Sequence, residues 1–85
     1  MRAAKLYDGG QSCGPQANAA KYLAGEASFV ACEAVVLTLG EMGYAWEYDV
    51  ERLFRESMIG LAAPVSRQMI PNFIAEKVLD LPRSY

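Results

Sequence analysis

One stretch of the chain contains almost nothing that would interrupt a helix, and it limits the possible folds more than any other feature. From Pro15 to Leu39 the only residue that disfavours a helix is Gly25. Pro15 itself suits the first turn of a helix, where its missing N–H costs nothing. The pattern therefore predicts a single helix near 15–39, of about 25 residues and about 37 Å at a rise of 1.5 Å per residue.

This predicted helix is apolar on more than one side. One stripe recurs at intervals of three and four residues and is predicted to face a core; it consists of Ala20, Leu23, Ala27, Val30, Ala31, Ala34 and Leu37. A second face carries small residues that would let another helix approach closely, namely Ala24, Gly25, Ser28 and Cys32. Lys21 and Glu26 lie near these stripes and are interpreted as solvated. Such a helix is typical of the inside of a helical bundle.

A connector rich in glycine and aromatic residues follows the long helix. Gly40 can take the left-handed conformation that ends a helix, and Gly43 allows a second bend. Tyr44, Trp46 and Tyr48 are predicted to pack as an aromatic cluster over the turn, with a ligand-stacking cage as the alternative interpretation. The pattern predicts a helix, a structured connector and a further helix.

The helix after the connector is predicted near 49–60. Asp49 is the candidate N-cap, because its carboxylate can accept from free backbone N–H groups. Glu51 and Arg55 have the spacing of an ion pair worth about 0.3 kcal/mol on an open surface. These charges favour a surface ion-pair network over a paired-carboxylate or metal site. Pro64 is predicted to keep the chain out of a helix after this segment.

The last helix is predicted near 66–80, with Ser66 as its candidate N-cap. Pro71 lies inside this pattern, so the helix either bends there or begins near it. A short helix is predicted over 1–8, ended by two glycines. The fold class is therefore all-α: a partial helical bundle of three main helices plus a short N-terminal helix.

Composition argues against several functions. The chain has 85 residues, a net charge of −2 and a pI near 5.0, so it offers no basic patch for nucleic acid. It contains no histidine, which excludes histidine-dependent nucleophilic catalysis and a histidine metal site. Cys13 and Cys32 lack the spacing of metal ligands and are interpreted as small buried residues. No signal peptide or uninterrupted membrane-length apolar run is apparent, so a cytoplasmic protein without membrane contact is expected.

The connector and the helix after it resemble a signature of the acyl-CoA dehydrogenases. The stretch LGEMGYAWEYDVERLFRES matches the family's glycine-rich connector at Gly40, Gly43, Tyr44, Glu47, Val50, Glu51, Arg52 and Arg55. It departs at Glu41, where a second glycine is usual, and at Glu56, where aspartate is usual. AAKYLAGEA resembles the preceding helix and VSRQMIPNFIAEKVL the closing one. The resemblance makes 1–85 a single partial domain, similar to the C-terminal half of the family's C-terminal four-helix bundle.

The resemblance also implies a cofactor and a reaction. Family members use FAD to remove the α proton and the β hydride of an acyl-CoA thioester. In many of them the base is a glutamate whose place falls near Pro64, so the resemblance implies that this chain has no catalytic residue. Gly40, Ser66 and Gln68 fall on positions near the adenosine diphosphate part of FAD, often across a subunit interface. Leu37 replaces a glutamine of the family, and Glu41 adds negative charge beside an anionic ligand.

Two hypotheses of different class follow from these observations. In the first, the chain is the C-terminal helical part of an FAD-dependent acyl-CoA dehydrogenase, and it contributes bundle packing, subunit contacts and one wall of a flavin site. In the second, it is a non-catalytic helical oligomerisation module derived from that family. Under either, we expect the isolated chain to bind no FAD, to be inactive on acyl-CoA and to form a dimer or tetramer. That contact is expected at the small-residue face around Gly25.

Overall fold

The computed structural model describes residues 1–83, and within them it contains helices and turns but no strand. The α-helices are α1 (Arg2–Asp8), α2 (Gly14–Leu39), α3 (Val50–Ser57), α4 (Ile59–Ala62) and α5 (Met69–Val78). Two short 3₁₀ helices, Gly40–Tyr44 and Trp46–Tyr48, form the connector between α2 and α3. The prediction of an all-α chain around one long helix is confirmed, including Pro15 in its first turn.

Two glycines let backbone pack directly on α2. Gly25 lies against Gly60 of α4, and a Cβ built on Gly25 would stand 2.8 Å from the Gly60 carbonyl oxygen. Gly43 of the connector lies against Val36, and a Cβ there would stand 2.5 Å from the Val36 carbonyl oxygen. Gly43 is therefore needed for a close approach rather than for a bend. Both glycines are buried.

The segment after the connector differs in two respects from its prediction. The helix expected near 49–60 is interrupted by a turn at Met58, which separates α3 from α4. Asp49 does occupy the N-cap position, but it has a left-handed φ of 56° and its side chain makes no capping hydrogen bond. Its carboxylate accepts from Arg52 Nε at 3.3 Å instead.

The start of the last helix lies later than predicted. Helix α5 begins at Met69 with Gln68 as its N-cap residue, so the assignment of Ser66 as N-cap was wrong. The Ser66 carbonyl oxygen accepts from the Met69 and Ile70 backbone N–H groups in the turn that precedes the helix. Pro71 is the third residue of α5, and the second alternative, a start near Pro71, is therefore the correct one.

The two faces predicted for α2 have different outcomes: a helix does approach closely at Gly25, but the stripe does not face a core. The stripe expected to face a core is exposed, as its largest members show: Leu23 is 66%, Val30 57% and Leu37 73% accessible. On the small-residue face, Gly25 is buried against α4 and Cys32 is half-buried, whereas Ala24 and Ser28 are exposed. On the same side Phe29 packs on Phe54 of α3, with ring centroids 5.4 Å apart. Gly25 is thus not free for the dimer contact that was predicted there.

The exposed stripe has the form of a coiled-coil seam. Alanines and larger apolar residues each recur every seven positions, which is the a and d pattern of a heptad. We call this set the open seam; it consists of Ala20, Leu23, Ala27, Val30, Ala34 and Leu37, all exposed. The alanines would allow a facing helix to come close, and the larger side chains would fill the spaces between its residues.

The chain exposes more surface than a compact protein of its size. Its accessible surface is 6492 Å², against about 5,000 Å² expected for a compact monomer of this mass. The radius of gyration is 16.5 Å, against about 12 Å expected for a compact domain. Among the described residues Ile70 is the one large side chain that is fully buried. Many of its large apolar side chains are therefore exposed to water.

Candidate cofactor-contact site

The loop over 63–68, between α4 and α5, carries two of the three predicted cofactor-contact residues. Ser66 is half-buried and Gln68 is exposed, and the hydroxyl and amide of these side chains are not engaged by other described residues. The backbone N–H groups of Met69 and Ile70 already donate to the Ser66 carbonyl oxygen. An anionic ligand at this corner would therefore be recognised mainly by side chains. A hydroxyl and an amide group, both free to donate, fit that role.

Two side-chain contacts attach this loop to α2. Lys21 Nζ donates to the Val65 carbonyl oxygen at 2.6 Å, and Arg67 donates to the Glu26 carboxylate at 2.9 Å. Lys21 and Glu26 had been interpreted as solvated, and their contact with the loop was missed. The sequence holds no local signal for either contact, because the partners lie 44 and 41 residues apart.

A cavity of about 170 Å³ lies between the start of this loop and α2. By resemblance Pro64 stands where many family members have their catalytic glutamate. The described residues that line the cavity include no carboxylate: Ala17, Asn18, Lys21, Pro64 and Val65. The nearest ionisable group in the lining is the Lys21 ammonium, which is committed to the Val65 carbonyl. This geometry provides no group to abstract an α proton at that place.

The third predicted residue, Gly40, lies at the other end of α2. It follows the last helical residue, with φ 57° and ψ −129°, and its N–H donates to the Leu37 carbonyl oxygen. A Cβ built on Gly40 would meet nothing within 4 Å, so the positive φ and not crowding calls for glycine. From Glu26 to Gly40 the axis of α2 rises about 21 Å. One copy of the chain therefore brings Ser66 and Gln68 together but not Gly40.

The connector aromatics do not form the predicted cluster. Tyr44 is 81%, Trp46 84% and Tyr48 50% exposed. The ring contact found among the described residues joins Phe29 and Phe54 instead. The short 3₁₀ turns hold the connector backbone, but they leave its three aromatic side chains on the surface. The aromatic-cluster prediction was therefore wrong.

The charged residues of α3 form the expected ion-pair network on its outer face. Arg55 donates to Glu51 at 2.9 Å, as the spacing predicted. Arg52 bridges Glu56 at 3.2 Å and Asp49 at 3.3 Å. These hydrogen bonds, to Glu56 above all, raise the pKa of Arg52, and the bond to Glu51 raises the pKa of Arg55. The carboxylates are thus paired with cations and not with each other.

Metal-binding and redox groups are sparse. Across residues 1–83, no three His, Cys, Asp or Glu side chains are grouped as they would be to hold a metal ion. Cys13 and Cys32 are free thiols and only half-buried. Helix α2 with the turn after it, 14–44, is long and apolar enough to span a membrane by length and composition, although this is weak evidence. The sequence-based expectation considered only uninterrupted apolar runs, whereas a membrane-length segment can include one or two charged residues.

Comparison with known proteins gives a consistent result. The family described as "Acyl-CoA dehydrogenase, C-terminal domain" matches residues 1–79. The chain is 43% identical to acyl-CoA dehydrogenase FadE12 of Mycobacterium tuberculosis over 87 aligned residues, which cover 100% of this chain and 22% of that protein. It is 29% identical to cyclohexane-1-carbonyl-CoA dehydrogenase of Syntrophus aciditrophicus (93% of this chain, 21% of that protein). It is 30% identical to the mitochondrial short/branched chain specific acyl-CoA dehydrogenase of Rattus norvegicus (89% and 18%). No solved structure matches the chain. The chain thus spans about a fifth of the length of the curated relatives it matches.

Proposed function

The chain belongs to the acyl-CoA dehydrogenase family, and we propose that it works as the C-terminal helical part of an FAD-dependent acyl-CoA dehydrogenase. In this role it completes a helical bundle and supplies contacts to the cofactor. It does not supply the catalytic base. The observation that carries the proposal is the open seam of α2, because an apolar heptad face needs a helix to cover it.

The size of the exposed surface supports this role. The excess over a compact monomer is on the order of 1,500 Å² by the surface–mass relation. A specific protein–protein interface removes about 800 Å² from each partner. One or two covering helices would therefore account for the excess. The same covering explains the apolarity of α2 without a bilayer, since an apolar helix inside a bundle passes the same length and composition test.

For the cofactor contact, we assign Ser66 and Gln68 to one region and Gly40 to another. About 21 Å of helix separates them, so they contact different parts of the cofactor or two different cofactors. In an assembly of two copies, Gly40 of one copy and the 63–68 loop of the other can serve one FAD. FAD, when bound, would supply the hydride-accepting chemistry, and Ser66, Gln68 and Gly40 would bind and orient its adenosine diphosphate part.

The test is reconstitution with the part of a relative that precedes the matched region. That segment of Mycobacterium tuberculosis FadE12 is produced separately and mixed with this chain. We expect a stable one-to-one complex, seen by sedimentation, that retains FAD. Val30→Glu in the open seam should prevent the complex, because it buries a carboxylate without a partner. Ile59→Glu changes an equally exposed residue outside the seam and should leave the complex intact.

The alternative is a free-standing oligomerisation module, in which a second copy covers the open seam. This alternative makes two requirements. The isolated chain forms a dimer that Val30→Glu dissociates, and the dimer persists when the FadE12 segment is added. If the chain does not bind the FadE12 segment but dimerises through the open seam, the oligomerisation module is supported and the role as part of an enzyme is excluded. Binding of the segment with release of the dimer would establish the enzyme part.

The cofactor contact has its own test within the reconstituted complex. Ser66→Ala and Gln68→Ala should each weaken FAD retention about five-fold, as expected for one lost hydrogen bond. Ser28→Ala removes a hydroxyl from an exposed position of α2 and serves as the matched control. Equal FAD retention by all three variants would remove the loop from the cofactor site.

A further inference from the structure

The 63–68 loop has little structure of its own to hold it. One backbone hydrogen bond spans the loop: the Arg67 N–H donates to the Leu61 carbonyl oxygen at 2.9 Å. Beyond it, the side chains of Lys21 and Glu26 hold the loop, through Val65 and Arg67 respectively. Ser66 lies between the two attached residues, and Gln68 directly follows the second. The two contacts therefore enclose one of the candidate ligand-binding residues and adjoin the other.

We propose that Lys21, Glu26 and Arg67 are positioning residues that latch this loop to α2 and so preset Ser66 and Gln68 for an anionic ligand. The latching rests only on the contacts above. The identity of the ligand, the diphosphate of a dinucleotide, rests on the proposed function. A loop that is already ordered loses less conformational entropy when the ligand binds.

The charges of the latch suit an anionic ligand. The Arg67 charge is balanced by Glu26, at 2.9 Å. The Lys21 ammonium is bonded to a carbonyl oxygen, which carries no net charge, at 2.6 Å. One positive charge therefore remains uncompensated within the latch, beside the loop. It strengthens the hydrogen bonds that Ser66 and Gln68 could donate to a phosphate.

Amide hydrogen exchange of the chain measures the latch directly. The N–H groups of Arg67, Met69 and Ile70 are hydrogen-bonded, and they exchange when the loop opens. We expect Arg67→Gln to speed their exchange about three-fold, the effect of a partly exposed ion pair. Lys21→Met should speed it about five-fold, since a charged donor is lost. Amides within α2 serve as the internal reference for global unfolding.

Two further variants separate positioning from general destabilisation. The double charge reversal Glu26→Arg with Arg67→Glu rebuilds the pair and should return exchange to within about two-fold of the original chain. Arg55→Gln breaks an ion pair with the same 2.9 Å distance on α3 and should leave the loop amides unchanged. Unaltered exchange in both single latch variants, or no recovery in the double reversal, would overturn the proposal.

Titration with ADP tests the connection to a ligand and keeps it apart from the latch. In the FAD-free reconstituted complex with the FadE12 segment, we expect millimolar ADP, but not adenosine, to shift the amide resonances of Ser66 and Gln68, and to do so less when the chain carries Arg67→Gln. Shifts of equal size in both proteins would overturn the positioning role. If ADP shifts nothing while the exchange results hold, the latch stands and the proposed cofactor contact fails.

Discussion

The two sides of α2 differ in their residue types and in whether other parts of the chain cover them. On the packed side, Gly25 meets the Gly60 backbone and Phe29 meets Phe54. On the other side, the residues of the open seam are all exposed. Glycine permits contact between backbones, whereas a seam of alanine and leucine requires side chains from a facing helix. The comparison shows that the chain covers one side of its long helix with its own residues, whereas the open seam requires a separate helix to cover it.

The largest expected effect comes from crowding the packed side. Gly25→Leu places a side chain where the Gly60 carbonyl oxygen already stands, 2.8 Å from the new Cβ. We expect a loss of about 3 kcal/mol of unfolding free energy, or failure to fold. Ala27→Leu adds similar bulk to the open seam and should change stability by less than about 0.5 kcal/mol. Urea denaturation followed by circular dichroism measures both, and equal losses would abolish the distinction between the sides.

A smaller effect is expected from emptying the packed side. Phe54→Ala removes the ring that contacts Phe29 at a centroid distance of 5.4 Å. Since Phe54 is half-buried, we expect a loss of about 2 kcal/mol, below the range for a fully buried phenylalanine. Trp46→Ala deletes a larger but exposed ring and should cost within about 0.5 kcal/mol. A greater loss for Trp46→Ala would mean that the connector aromatics pack after all.

A substitution in the open seam is expected to change stability even less but to reduce self-association. Val30→Glu should leave the unfolding free energy of the isolated chain within about 0.5 kcal/mol, because Val30 is already in water. It should also lower self-association, which sedimentation at rising protein concentration measures. A substantial loss of stability in a dilute, monomeric sample would show that the seam is covered within one chain.

The smallest expected effect lies outside both sides, at Glu76. Hydrogen bonds from Lys77 first, and from Arg83 next, lower the pKa of Glu76 from its ordinary value of 4.5. A carboxylate with a lowered folded-state pKa stabilises the fold above its unfolded pKa, and this contribution disappears as the pH falls through the folded value. Glu76→Gln should therefore be slightly less stable at pH 6, and the difference should narrow as the pH falls towards 3. A constant difference across that range would contradict the shift.

Local features of the sequence predicted the secondary structure well. The unbroken pattern to Leu39, the positive φ of Gly40 and the Glu51–Arg55 pair all depend on residues within a few positions of one another. The resemblance to the acyl-CoA dehydrogenases was carried by the same local stretches, and the family match confirms it. The start of α5 near Pro71 was one of two stated alternatives, because proline is tolerated in a first turn.

Several of the errors concern contacts between residues that are distant in sequence, and others are local. Both sides of α2 were apolar, and periodicity alone does not say which side the later helices cover. That choice depends on Gly25, because a Cβ there would stand 2.8 Å from the Gly60 carbonyl oxygen of α4. The contacts of Lys21 and Glu26 with the loop join residues more than 40 apart. The Asp49 backbone is left-handed and its side chain makes no capping hydrogen bond. Its carboxylate accepts from Arg52 instead.

The arrangement of the helices around α2 has a consequence for communication within the molecule. The connector, α3, α4, α5 and α1 all contact α2, whereas the described part of α5 makes no comparable contact with the connector or with α3. A ligand at the 63–68 loop can therefore influence the Gly40 end along α2, or through α4 and then α3, which contacts the connector. A straight helix transmits displacement along its axis but has few alternative states to switch between. Any coupling between the two ends therefore depends mainly on how α3 packs against α4 and the connector.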